Sequence, residues 1–154
     1  MAGEIQARGR NITVGYYKNP EANAVAFTDD GWFRTGDLGT IDDEGNIFIR
    51  GRIKSMILNS SGQNIYPEEV ESVLSGCPYV VESIVVDRNG KLVALVYADI
   101  PEDMDAASRN SIPEQIRTAA NKALPVYSRI SKVEMMDLPF EKTPKMSIKR
   151  FLYK

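Results

Sequence analysis

The run Phe33-Arg34-Thr35-Gly36-Asp37 sets an acid directly after a glycine, which lets a carboxylate project from a tight turn. A carboxylate placed so accepts from two vicinal hydroxyls and makes a good ribose clamp. Taken alone, Thr-Gly-Asp is more often a plain surface turn. Fifteen residues after Asp37 stands Arg52, in Gly51-Arg52-Ile53-Lys54. An apolar step follows, then Ser60-Ser61-Gly62-Gln63-Asn64-Ile65-Tyr66-Pro67-Glu68-Glu69-Val70-Glu71. Gly62 has no side chain and permits close approach of backbone to a ligand. Near the end, Lys142-Thr143-Pro144-Lys145-Met146-Ser147-Ile148-Lys149-Arg150 gathers cations and reads by itself as a basic, solvated tail.

The residue inventory narrows the chemistry. Histidine is absent from the 154 residues, which excludes Ser-His-Asp and Cys-His catalysis and any His-ligated metal within them. The single cysteine, Cys77, forms no internal disulfide, so a reducing cytosol is the default. No metal site is expected. Chemistry must rest on Asp, Glu, Lys, Arg, backbone amides or groups of another domain. With a formal charge of −2 there is no general electrostatic reason to bind nucleic acid. No apolar run approaches the roughly 20 residues of a membrane span, and Met1 to Arg10 lacks a signal-peptide core.

These residues need elements to hold them. Ile12–Val14, Trp32–Arg34, Leu38–Ile41 and Ile47–Arg50 read as short strands, the last two joined by a hairpin over Asp42-Asp43-Glu44-Gly45-Asn46. Asn19-Pro20-Glu21 starts a short helix through Phe27. The strands of this segment are too few and short to close a core alone. From residue 51 the pattern changes. Ile53–Leu58 opens with a strand. Pro67–Ser75 is a helix with Glu68 and Glu69 in its first turn, Val70, Val73 and Leu74 as apolar stripe, and Gly76 at its end. Val80–Asp87 and Leu92–Ala98 flank the Asn89-Gly90 turn as a hairpin. Ser111-Ile112-Pro113-Glu114 resembles a capping box for a helix to Ala123, and Arg129–Met136 is a further strand. The fold class is α+β: a small mixed or antiparallel sheet with helices on one face, preceded by a β-rich segment.

Together with Gly3-Glu4-Ile5 and Gly15-Tyr16-Tyr17-Lys18-Asn19-Pro20-Glu21, the runs around Asp37, Arg52 and Gly62 resemble the adenylate-forming superfamily of acyl-CoA synthetases, luciferases and peptide-synthetase adenylation domains. The resemblance extends from Gly3 to Tyr153, with the motifs in that superfamily's order. It implies that residues 1–53 are the C-terminal end of a large AMP-binding domain and 54–154 a mobile lid. Asp37 would bind the 2′ and 3′ hydroxyls of AMP, with Arg52 and Thr35 at the same nucleotide. Lys54 stands at the superfamily's hinge. Ser61, Gly62, Gln63 and Asn64 would form the loop presented to the CoA pantetheine channel. Asn64 stands where some relatives carry a phosphate-binding arginine; it keeps hydrogen bonding and loses the charge.

The superfamily's last signal is a lysine in a run like Lys-Thr-x-x-Gly-Lys-Ile-x-Arg. Aligning Lys142-Thr143 and Ile148-x-Arg150 puts Ser147 at that lysine. Serine supplies no cation for charge developing on phosphorus, which leaves Lys145 and Lys149, two residues to either side, as candidates.

The parent reaction implied is carboxylate, ATP and CoA giving acyl-CoA, AMP and diphosphate through an acyl-adenylate. The ending Ile148–Tyr153 and the run Asn64–Glu69 look most like long-chain fatty acid–CoA ligases. ATP or AMP, CoA and Mg2+ would serve the full-length enzyme, with none tightly bound here. The superfamily's phosphate-binding loop and acyl pocket belong to a large N-terminal domain upstream, so the start at Met1 reads as a truncation or a mispredicted start, the missing domain as partner, and the isolated chain as inactive. Self-association through exposed N-terminal strands is expected, as is a cytoplasmic place, at most peripheral to the inner membrane surface. The alternatives are a fragment of an acyl–carrier-protein synthetase or adenylation domain, and a non-catalytic module built on this fold.

Overall fold

A computed structural model describes residues 2–59 and 61–153; Ser60 of the loop motif lies outside the described residues. The chain divides into two compact units, Met1–Ser55 and Met56–Lys154.

The first unit is a three-stranded antiparallel sheet, β1 (Gly3–Ala7), β2 (Phe33–Ile41) and β3 (Ile47–Arg52), with one short helix, α1 (Pro20–Ala26). Asn19 caps α1 by accepting from the Ala22 amide at 3.0 Å, and Pro20 occupies the first helical position, where its missing N–H costs nothing. The expected runs Trp32–Arg34 and Leu38–Ile41 are one strand, bent at Gly36, whose φ of +74° only glycine takes readily. Ile12–Val14 is not a strand; Gly3–Ala7 supplies the edge instead. The turn expected at 42–46 closes the β2–β3 hairpin through Asp42, whose carboxylate accepts from the Glu44 and Asn46 amides. Gly39 faces β1 and the β3 backbone so closely that a Cβ would lie 2.8 Å from Ile5 Cδ1 and 2.9 Å from the Phe48 carbonyl. The only buried hydrophobic side chain here, among the described residues, is Ala26.

The second unit carries the core. A small hairpin, β4 (Ile57–Leu58) and β5 (Asn64–Ile65), leads into α2 (Pro67–Ser75). Strands β6 (Val80–Arg88) and β7 (Lys91–Ala98) pair antiparallel, and β8 (Lys132–Met135) joins β7 in parallel, so the sheet is mixed. Between them runs α3 (Ala106–Ala123). The central strand alternates. Leu92, Ala94 and Val96 pack with Val70 and Leu74 of α2 and Ile112, Ile116 and Ala120 of α3. Val93 and Leu95 face the other way, onto Ile84, Val86 and Phe140. Both faces being covered explains an unbroken apolar run, Leu92–Val96.

Three further expectations are corrected. Ile53–Leu58 does not open with a strand: Ile53–Ser55 is a 3-10 turn and only Ile57–Leu58 is extended and paired. Helix α3 begins well before Ser111: Asp105 is its cap, accepting from the Ser108 amide at 2.8 Å, and Pro113 lies inside it. Ser111 instead donates to the Ser108 carbonyl, and Glu114 pairs with Arg117. The C-terminal run is no solvated tail. Residues 140–153 fold back as a strap on the outer face of the sheet, with Phe140 3% exposed and Ile148 and Tyr153 packed beside it. No helix of the described residues is long and apolar enough to cross a membrane.

Candidate functional site

In the first unit, Asp37 and Arg52 face each other across the β2–β3 ladder. Arg52 Nε lies 2.9 Å from Asp37 Oδ1. The left-handed Gly36 turns the chain so that Asp37 stands out of the strand. Thr35 fixes that turn, its hydroxyl donating to the Ile5 carbonyl at 2.7 Å and accepting from the Asp37 amide at 3.1 Å. Glu4 on β1 accepts from the Gly36 amide and from Arg34, both at 3.3 Å. The result is a partly exposed carboxylate beside a cation. That geometry suits neighbouring hydroxyls near a negatively charged group. Lys54 follows two residues after Arg52, exposed, in a single 3-10 turn spanning Ile53–Ser55.

In the second unit, the loop from Asn59 to Gln63 is built by one side chain. Asn59 Oδ1 accepts from the Ser61 amide at 3.0 Å and the Gln63 amide at 2.8 Å. Its backbone closes the turn, accepting from Gly62 and donating to the Gln63 carbonyl. Gly62 has φ +76° with nothing within 4 Å of where a Cβ would stand, so here the backbone angle selects glycine. Ser61, Gln63 and Asn64 are exposed around it. A cavity of about 530 Å³ opens beside the loop, lined in part by Asn59, Gln63, Lys91, Tyr127 and Arg129.

The strap's turn is ordered. Lys142 and Ile148 form an antiparallel bridge. Thr143 donates its amide to the Ser147 carbonyl at 2.8 Å, and its hydroxyl accepts from the Ser147 amide at 3.3 Å. Met146 adopts φ +61°, at the place where the run Lys-Thr-x-x-Gly-Lys has its glycine. Ser147 is exposed and brings no charge. Of the nearby lysines, Lys142 pairs with Glu82 and Lys149 with Glu141, at 3.2 Å in the second case. Lys145 is exposed and has no ion pair among the described residues.

Burial pushes the Glu71 carboxyl up, and the Arg150 guanidinium and the Val85 amide pull it only part of the way back. Burial also works against the charge on Arg150, yet Glu71 holds that guanidinium above its usual range. Glu71 is the deeper of the two, 14% against 29% exposed at the side chain, which is why the pair restores it less. Desolvation raises the Cys77 thiol, and its Sγ donates to the Val73 carbonyl, so the lone cysteine packs a helix end. The described residues hold no cluster of three or more His, Cys, Asp or Glu able to bind a metal ion.

Asn59 and Glu4 are the site residues that sequence reading passed over. Asn59 carried a signal, an Asn with glycine three residues on, which is the mark of a side-chain-closed turn. Glu4 stood in the quoted run Gly3-Glu4-Ile5 without a role, because its contacts arise only when β1 pairs with β2.

Comparison with known proteins gives one family match, the AMP-binding enzyme C-terminal domain, over residues 54–153. The chain is 42% identical over 120 residues to the long-chain-fatty-acid–CoA ligase FadD13 of Mycobacterium tuberculosis, covering 75% of this chain and 23% of that one. It is 48% identical over 81 residues to the 2-succinylbenzoate–CoA ligase of Bacillus velezensis, covering 53% and 16%. Among solved structures, the O-succinylbenzoate Coenzyme A synthetase of Bacillus subtilis in complex with AMP superposes with a TM-score of 0.83 at 29% identity, covering 100% of this chain and 30% of that one. The chain thus spans less than a third of each of these three relatives.

Proposed function

We propose, for a chain that belongs to the AMP-binding enzyme C-terminal domain family, that it is the lid-bearing end of an ATP-dependent acid–CoA ligase. Residues 1–53 close the large nucleotide-binding body, and 54–154 swing about Lys54. The reading rests above all on Asp37 and Arg52 meeting across one ladder, two residues before the hinge position.

In the first half-reaction a carboxylate attacks the α-phosphorus of ATP, giving acyl-adenylate and pyrophosphate. The Asp37 carboxylate, beside Arg52, accepts from the ribose hydroxyls and fixes the nucleoside. Lys145 is the cation we assign to the developing phosphoryl charge, since Ser147 has none and Lys149 is held by Glu141. In the second half-reaction a thiol attacks the acyl carbon and AMP leaves. The loop of Ser61, Gly62, Gln63 and Asn64, set by Asn59, lies along the pantetheine arm. Fatty acid is the substrate class we favour, on the ending Ile148–Tyr153 and the likeness to FadD13; the 2-succinylbenzoate relatives mark the competing acid.

A second reading, a lid that no longer supports adenylation, is favoured by Ser147 alone. A graft decides between them. Residues 1–154 replace the matching end of the M. tuberculosis ligase, and pyrophosphate release and thioester formation from supplied acyl-adenylate are measured separately. The ligase reading expects both, with loss of the first in Lys145→Met and little gain in Ser147→Lys. A large gain in Ser147→Lys would transfer the first step away from Lys145. The chain by itself should show no ligation, and calorimetry with ATP should show no micromolar affinity.

A further inference from the structure

Residues 140–153 are fixed at both ends of their turn by carboxylates of the sheet and helix they cover. At the near end, Glu82 on β6 accepts from the Phe140 amide at 3.1 Å and from the Lys142 ammonium. At the far end, the Arg150 guanidinium lies two-pronged on Glu71 of α2, with Nη1 2.7 Å from Oε1 and Nη2 on Oε2. The same Oε1 accepts from the Val85 amide at 2.7 Å, so the arginine is tied to helix and sheet at once. Glu68, three residues earlier on α2, brings a second carboxylate within 3.9 Å of Nη2, and its Oε2 is buried without a hydrogen-bond partner among the described residues. Apolar contacts bracket the arrangement: Phe140 meets Tyr153 edge-on at 5.0 Å, and the Tyr153 hydroxyl accepts from the Glu141 amide.

A two-pronged guanidinium–carboxylate contact fixes direction as well as distance, which an ammonium does not. Removing the cation strands a buried carboxylate, and the element that brought the cation bears the loss. We propose that Arg150 is a positioning residue, whose grip on Glu71 holds the 143–147 turn at one place and angle on the lid so that Lys145 is presented from a fixed support. The attachment stands by itself; only the purpose of the turn rests on the ligase reading.

The test is amide hydrogen exchange on the 154-residue chain carrying Arg150→Met or Arg150→Lys. The amides of Thr143, Met146 and Lys149 report on the turn, since each is bonded within it; Val93 to Val96 of β7 report on the core. Both variants should speed the turn amides by roughly tenfold or more and leave the β7 amides within about threefold. Equal acceleration of turn and core would reduce Arg150 to general stability and overturn the proposal, as would no change in either. Wild-type turn protection in Arg150→Lys would overturn it too, since charge without the fork would suffice. In the graft, both variants should slow pyrophosphate release about tenfold at unchanged KM for ATP and leave thioester formation from acyl-adenylate intact. A graft that makes neither product before any substitution refutes the ligase reading, and the exchange data then decide the strap by themselves.

Discussion

Asp37 and Arg52 hold each other at 2.9 Å with side chains 31% and 63% exposed, a setting in which an ion pair stabilises a fold by under about 1 kcal/mol. Asp37→Ala should therefore leave the unfolding midpoint of the chain almost unmoved. On the proposed role of Asp37 at the ribose, the graft should show a KM for ATP raised by roughly tenfold or more, since a charged hydrogen-bond acceptor is lost. A large fall in stability with unchanged KM would show the pair to be structural. At the loop, Asn59→Ala removes the acceptor for two backbone amides and should destabilise the second unit by about 1 kcal/mol in urea titration, with slower thioester formation. Gly62→Ala should cost a similar amount, about 1 kcal/mol, entirely through its left-handed backbone, because space is open there. At this scale the sequence singled out Asp37, Arg52 and Gly62 by neighbours and spacing, and the structure pairs the first two across one ladder and sets the third in a left-handed turn. What closes around them was not, as Thr35 shows. Its hydroxyl is occupied at both ends within the strand pair, a fact that belongs to β1 as much as to β2.

Helices and strands were legible where local pattern and tertiary need agree. Pro67–Ser75 came with its proline, acids and terminal glycine in order. Helix α3 did not, because Ser111-Ile112-Pro113-Glu114 imitates a start while Asp105 caps the Ser108 amide further upstream. The strap was missed for a different reason. Its cations look solvated in sequence, and the carboxylates that hold Lys142 and Arg150 lie on β6 and α2. The pair at α2 also sets a pH dependence. Glu71 is raised in the folded state above its unfolded value, so its contribution is present below the unfolded carboxyl range and is lost as pH climbs through the window up to its folded value. Glu71→Gln, which mimics the protonated group, should thus gain stability relative to wild type as pH rises from acid to neutral. Urea titrations across that range check it; a difference that stays flat or runs the other way would contradict the direction.

The molecule as a whole pairs a well-filled unit with a poorly filled one. Leu74, Ile84, Ile112, Ile116 and Ile130 are all but inaccessible in the second, whereas Ile41, Ile47, Phe48 and Ile49 of the first are 52% to 71% exposed. Residues 56–154 alone should unfold cooperatively, and residues 1–55 alone should not; separate expression and thermal circular dichroism would tell. Exposed apolar strands also favour self-association of the chain, to be read as a concentration-dependent sedimentation coefficient. The order of helices and main strands in the second unit could be read along the sequence, but a strand face whose covering atoms lie in other residues leaves no local trace. The strap has one further bearing, on synthesis. Glu71 and Glu82 emerge from the ribosome 79 and 60 residues ahead of the cations that answer them. At roughly 5–20 residues per second, the nascent domain stands open on one side for several seconds. A stop codon within the strap would release a product gaping along the outer sheet, fit for a protease and not for a partner.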